Sequence, residues 1–128
     1  MKIFTWILRI VAAVILLQTL YFKFGAHPDS VDLFTKLGVE PWGRIGTGVM
    51  ELIAGICLLV PKYTRYGAII AMGLMVGAIG SHLTVIGIEH AGDGGTLFMM
   101  AVIVFVCSAL LAFFEKDQLI ADLKKITG

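Results

Sequence analysis

Four stretches of this chain stay apolar long enough to cross a lipid bilayer, and that leaves very few folds open to it. They run from about 3 to 24, 42 to 60, 65 to 88 and 96 to 114. Each supplies the roughly 20 residues that span ~30 Å of hydrocarbon at a rise of ~1.5 Å per residue. Lipid offers the backbone no hydrogen-bond partner, so runs of this length form helices. Hydrophobic residues make up 59% of the 128, above the ~45–50% apolar content of a soluble domain even with glycine counted. The expectation is an all-α integral membrane four-helix bundle in a single domain. The first run has no small-residue cleavage site followed by a soluble domain, so it reads as a retained span rather than a signal peptide.

Charge and cysteine narrow the function classes. A net charge of +1 gives no electrostatic case for nucleic acid. Cys57 and Cys107 lie inside apolar runs without CxxC spacing, which fits small buried hydrophobes rather than a disulfide framework or a zinc site. His27, Glu89, His90 and Asp93 gather in the loop segments, but with no thiolate beside them no metal is expected.

The linkers at 61–64 and 89–95 are short, so the last three helices should be antiparallel neighbours. The linker at 25–41 is longer and contains SVDLFTKLGV. Ser30 is placed to cap a helix after Pro28, and Gly38 to stop it. Val31, Phe34 and Leu37 share one side, which predicts a short amphipathic helix lying at the membrane interface. The tail at 115–128 has the same pattern, with Leu119, Ile120 and Leu123 set against Asp122, Lys124 and Lys125.

Four spans bring both termini to one end. Lys2, Arg9, Lys62, Arg65, Lys116, Lys124 and Lys125 fall at that end, against Lys23, Lys36 and Arg44 at the other. The positive-inside bias then predicts that both termini are cytoplasmic. Trp6, Trp42, Tyr21, Tyr63 and Tyr66 suit the interfacial belts. Arg9 is expected to snorkel to the terminal surface.

One charge stands out. In 48-GVMELIAG-55, Glu51 is the only charged side chain between Ile45 and Val60. It lies nine residues past Trp42, or ~13 Å below the outer boundary. His82 and Gln18 each lie six residues short of the same boundary, ~9 Å down. Lys23 and Arg44 sit above them. A charge at mid-membrane costs about 2.5–3.5 kcal/mol or more, so such a residue faces the protein interior and pairs. His82, Lys23 and Arg44 are the candidate partners of Glu51. The candidate ligand or proton site is therefore Glu51, His82, Gln18, Lys23 and Arg44. Gly48, Glu51 and Gly55 share a face, so another helix can approach there. Gly73, Gly77, Gly80, Thr84 and Gly87 form a similar stripe on the third span. A packing role for Glu51 remains an alternative.

The stretch 7-ILRIVAAVILLQTLYFKF-24 resembles the first helix of DoxX-like proteins, with its Leu-Arg pair and closing lysine. The block 46-GTGVMELIAGICLLVPKYTRYGAIIAMGLMVGAI-79 is similar to the family's centre, and FTKLGVEP before it to the family's outward loop. Arg9, Lys23, Glu51 and Arg65 fall on pattern positions. The resemblance implies a four-helix inner-membrane protein, named after a small subunit of a thiosulfate:quinone oxidoreductase. It implies a quinone-linked role, with quinone as the cofactor to consider and a redox protein as the partner, and it assigns no catalytic residue. A proton-coupled transporter and a non-enzymatic scaffold are the competing readings. The bilayer is the one certain surroundings for such a chain, and homo-oligomerisation stays open.

Overall fold

The computed structural model describes residues 2–88 and 94–127. Seven α-helices are present among them: α1 (Lys2–Gln18), α2 (Leu20–Phe24), α3 (Pro28–Lys36), α4 (Trp42–Leu59), α5 (Thr64–Ser81), α6 (Thr96–Phe114) and α7 (Lys116–Thr127). Four segments are long and apolar enough to cross a membrane: Lys2–Phe24, Trp42–Leu59, Pro61–Ile86 and Thr96–Phe114. They match the four spans read from the sequence. The loop helix at 28–36 and the tail helix at 116–127 are also where the amphipathic patterns put them.

The spans form a ring. α1 packs against α4 and α6, and α5 packs against the same two. Both termini lie at one end, called here the terminal end. Its half of the bundle is closed by small side chains. Ala12, Ala13, Ala54, Ala68 and Ala71 are fully buried, together with Leu58 and Val104. Lipid gives helices no hydrophobic reason to associate, so close backbone approach over small residues does that work. A Cβ on Gly67 would lie 2.8 Å from the Leu58 backbone nitrogen and 2.9 Å from the Ala54 carbonyl oxygen, which shows how tightly α5 lies on α4.

Three local features differ from the sequence expectations. The first span is not one helix, because it breaks at Thr19 between α1 and α2. The cap of α3 is His27 rather than Ser30: its Nδ1 accepts the Asp29 amide at 3.2 Å, and Pro28 takes the first helical turn. Proline is suited there because its missing N–H is unpaired in any helix start. Gly38 does end the helix, in the left-handed conformation at φ 77°. Finally, α5 closes in a π-helical turn over His82–Ile86.

Arg9 departs furthest from expectation. It does not snorkel; it is 4% exposed. Its Nε donates to the Leu58 carbonyl at 2.7 Å and an Nη to the Leu59 carbonyl at 2.9 Å. The guanidinium lies 3.5 Å from the centre of the Trp6 ring. Pro61 stops α4 by withholding a backbone donor, and its last carbonyls need partners from elsewhere. Thr64 Oγ1 supplies further donation at the same corner, to Leu58 O at 3.3 Å and Val60 O at 3.0 Å.

The tail is tied down by one acidic residue. Asp122 Oδ2 receives Arg65 Nε at 2.7 Å and the Tyr66 hydroxyl at 2.5 Å, so α7 is fixed to the start of α5. Chiefly the Tyr66 hydroxyl, and then the Arg65 guanidinium, holds the Asp122 carboxyl below its ordinary value of 3.8. A depressed folded value means docking is fully supported above the ordinary value and lost as pH falls through the lower one. Docking of α7, followed by amide exchange in the tail, is therefore expected to stay constant from pH 8 to about 5 and to loosen only below about 4. Asp122→Asn should loosen it at neutral pH.

Candidate functional site

The distal half of the bundle is built differently from the terminal half. Thr19 interrupts the first span, and two side chains take up the carbonyls that the interruption leaves. Gln18 Nε2 donates to Ile15 O at 3.1 Å, and the Thr19 hydroxyl lies 2.7 Å from Leu16 O. Beyond the break, the Phe22 and Lys23 amides both return to Thr19 O at 3.1 Å, which starts α2. Thr19 and Lys23, four residues apart, share the face that lies toward α4.

Lys23 there meets Glu51. Its Nζ lies 2.9 Å from Glu51 Oε1, with side-chain exposures of 13% and 4%. The contact is ionic rather than a well-aligned hydrogen bond, and Oε1 receives no hydrogen bond from another group. The other carboxylate oxygen, Oε2, lies 3.0 Å from the Thr19 hydroxyl. The glycine stripe of α4 makes this approach possible. A Cβ on Gly48 would lie 2.7 Å from the Phe24 ring, and one on Gly55 would lie 2.7 Å from Leu17. α1 and α2 thus lie directly on the stripe, on either side of Glu51.

Arg44 is not a partner of Glu51, although the sequence made it a candidate. It is buried, with Nε 2.9 and 3.1 Å from the two Glu40 carboxylate oxygens, and it donates to the Lys23 carbonyl oxygen. Its role is to hold the backbone of Lys23 in place. Glu40 is the residue that sequence reasoning missed; it lies just before α4, on the other side of Pro41, and its signal was only an acidic residue close in sequence to Arg44.

His82 is buried but also does not bond to Glu51. Its Nδ1 is 3.0 Å from the Gly87 carbonyl oxygen. A carbonyl only accepts, so Nδ1 carries a proton and is the donor. The π-turn and Gly87, at φ 88°, bring that carbonyl back to the ring. Phe98 packs edge-on against His82 with centroids 5.7 Å apart. Gln18 is exposed, with Nε2 also 3.4 Å from Met100 Sδ.

All these elements surround one cavity of about 570 Å³. Gln18, Thr19, Lys23, Glu51 and His82 line it, and most of the rest of its wall is apolar. Arg44 does not reach it. α3 closes its distal side with Leu33, Phe34 and Leu37, and Phe34 is buried. The side of α3 read as apolar in the sequence thus lies over a cavity as well as at an interface. Among the described residues no three His, Cys, Asp or Glu side chains gather as a metal site. The loop residues Glu89, His90 and Asp93 lie outside the described residues.

A ring of four membrane-spanning helices, packed shut at one end and holding an ion pair in the wall of a mostly apolar cavity at the other, defines a small multi-pass membrane protein with an internal cavity. The DoxX family model matches residues 4–87, from α1 through the π-turn, and the chain belongs to that family. No curated protein and no solved structure matches it.

Proposed function

We propose that the protein is a membrane subunit or accessory of a quinone-linked redox system, and that its cavity holds the quinone head group. The observation that carries this reading is the Lys23–Glu51 pair, with side chains 13% and 4% exposed, in the wall of a mostly apolar cavity. Binding sites for small molecules have this composition, an apolar lining with a few placed polar groups. A quinone ring is flat and apolar, with two carbonyl oxygens that accept hydrogen bonds. The Lys23 ammonium and the Gln18 amide are donors on the cavity wall.

Reduction of the ring to a quinol takes two electrons and two protons. The sequence carries no haem or iron–sulfur ligand pattern, so a partner redox protein supplies the electrons. Protons pass through side chains lining the cavity. The Thr19 hydroxyl has one proton and two acceptors, Leu16 O and Glu51 Oε2. Turned to Glu51, it donates to a carboxylate. Turned to Leu16, it accepts from a carboxylic acid. Glu51 can therefore gain or lose a proton with its Thr19 contact kept in both states. By the distribution of Lys and Arg, both termini face the bacterial cytoplasm and the cavity lies in the outer leaflet.

Proton-coupled transport is the weaker reading. The alanine-lined terminal half is packed, which disfavours a path from one face to the other. A titration separates the possibilities. Purified protein in lipid nanodiscs is expected to bind a decyl-tailed benzoquinone saturably, and Glu51→Gln to weaken binding about tenfold, or ~1.4 kcal/mol. Failure of the wild-type protein to bind any quinone saturably would overturn the reading and leave a scaffold role in its place.

A further inference from the structure

The cavity does not end inside the ring. Its lining passes from Glu51 to Thr47 on α4 and to Gly77 and Gly73 on α5. Gly73 and Gly77 are exposed, and a Cβ built on either meets nothing within 4 Å. The face of α5 directed to the core carries Ala71 and Met75, which are buried. At ~100° per residue, Gly77 lies well round from that face, on the side of Gly67, which packs against Cys57, Leu58 and Ala54 of α4. The cavity therefore reaches the outside of the bundle between α4 and α5. The opposite gap, between α1 and α6, is crossed by the contact of Gln18 with Met100 at 3.4 Å.

Depth decides what can use the opening. Gly73 lies nine residues into α5 from Thr64, so ~14 Å from the terminal boundary of a ~30 Å hydrocarbon layer. Gly77 is one turn further on. The opening faces acyl chains, where a water-soluble ligand is absent and a membrane-dissolved one is concentrated. The absent side chains at 73 and 77 leave a channel in the α5 surface leading to the buried ion pair.

We propose that the ligand is a membrane-dissolved amphiphile that enters sideways between α4 and α5, its polar head at Lys23–Glu51 and its apolar tail lying over Gly77 and Gly73. This rests on the cavity being a head-group site. Gly77→Leu places a branched side chain at the opening, starting from a Cβ that meets nothing within 4 Å. Gly80→Leu is the control, since its Cβ also meets nothing within 4 Å and Gly80 does not line the cavity.

The test is stopped-flow binding in nanodiscs of two probes, a decyl-tailed benzoquinone and the same ring with a methyl group in place of the tail. Gly77→Leu is expected to slow association of the tailed probe about tenfold while Gly80→Leu leaves it within about twofold. The tailed probe should also bind the wild-type protein about tenfold more tightly than the methyl one. Thr47→Phe plugs the opening from α4 and replaces Gly77→Leu should that variant not fold. Unchanged rates in both plugged variants, with Glu51→Gln still weakening binding, would overturn lateral entry and leave the head-group site standing. Absence of binding by the wild-type protein would overturn both.

Discussion

Lys23→Met is expected to destabilise the bundle by about 3–5 kcal/mol, because it leaves a carboxylate buried without its cation. Glu51 is 3% exposed and sits midway along a membrane-spanning helix. Its stem is short against the ~13 Å to the nearer membrane boundary. The reverse change, Glu51→Gln, should cost less. Lys23 is near the distal end, 13% exposed on a long flexible stem, and can turn its ammonium outward once its partner is gone. The asymmetry is a direct test of the geometry, measurable by denaturant or thermal unfolding in detergent. Equal losses would mean that the two charges share the same access to water.

The double variant Lys23→Met with Glu51→Leu removes both charges. Replacing a buried ion pair by apolar side chains of similar volume is often neutral or stabilising, so stability should return to within about 1 kcal/mol of the natural protein. Quinone binding should not return. That combination would separate a pair retained for a ligand from one retained for packing. A double variant that is stable and binds as well as the natural protein would make the pair structural, and the head-group site would fall with it.

The sequence carried the spans and the depth of the site, and it left the pairing open. Helix length and apolarity are properties of single segments, so the four spans, the α3 pattern and the amphipathic tail could all be read one segment at a time. Depth follows from counting residues along a helix: it put Gln18, Glu51 and His82 in one layer with Lys23 and Arg44 above them, and the first three and Lys23 line the cavity. Pairing within the layer depends on rotation. Thr19 and Lys23 are four residues apart and both reach Glu51, but a single span does not show which neighbouring helix that face meets. His82 was at the right depth but found a nearer acceptor, the carbonyl of Gly87, which exists only because α5 ends in a π-turn. The two glycine stripes looked alike in sequence. One lies under Leu17 and Phe24, and the other meets no side chain.

Arg9 shows the same limit at the terminal end and gives the second large effect. A basic residue eight positions into a span can reach the surface along its own stem, and a single helix gives no reason to expect otherwise. The reason lies on α4, whose final carbonyls at Leu58 and Leu59 are turned inward. An unsatisfied carbonyl within a membrane costs several kcal/mol, because no water reaches it. Arg9→Ala leaves the Leu59 carbonyl without its donor and the Leu58 carbonyl with only the 3.3 Å Thr64 contact, and it removes the stacking on Trp6, so the loss is expected to reach about 3–5 kcal/mol. Arg9→Lys should recover less than half of it. An ammonium is a point charge that cannot present two parallel N–H groups to successive carbonyls, and it stacks less well on an aromatic face. Quinone affinity should stay within about twofold in Arg9→Lys, since none of the cavity residues touches this corner. If Arg9 instead snorkelled, alanine would cost under about 1 kcal/mol and lysine would substitute fully, as at exposed cation sites. Unfolding of the two variants side by side distinguishes a surface anchor from an internal cap. The expected order, with lysine closer to alanine than to arginine, follows only from the cap.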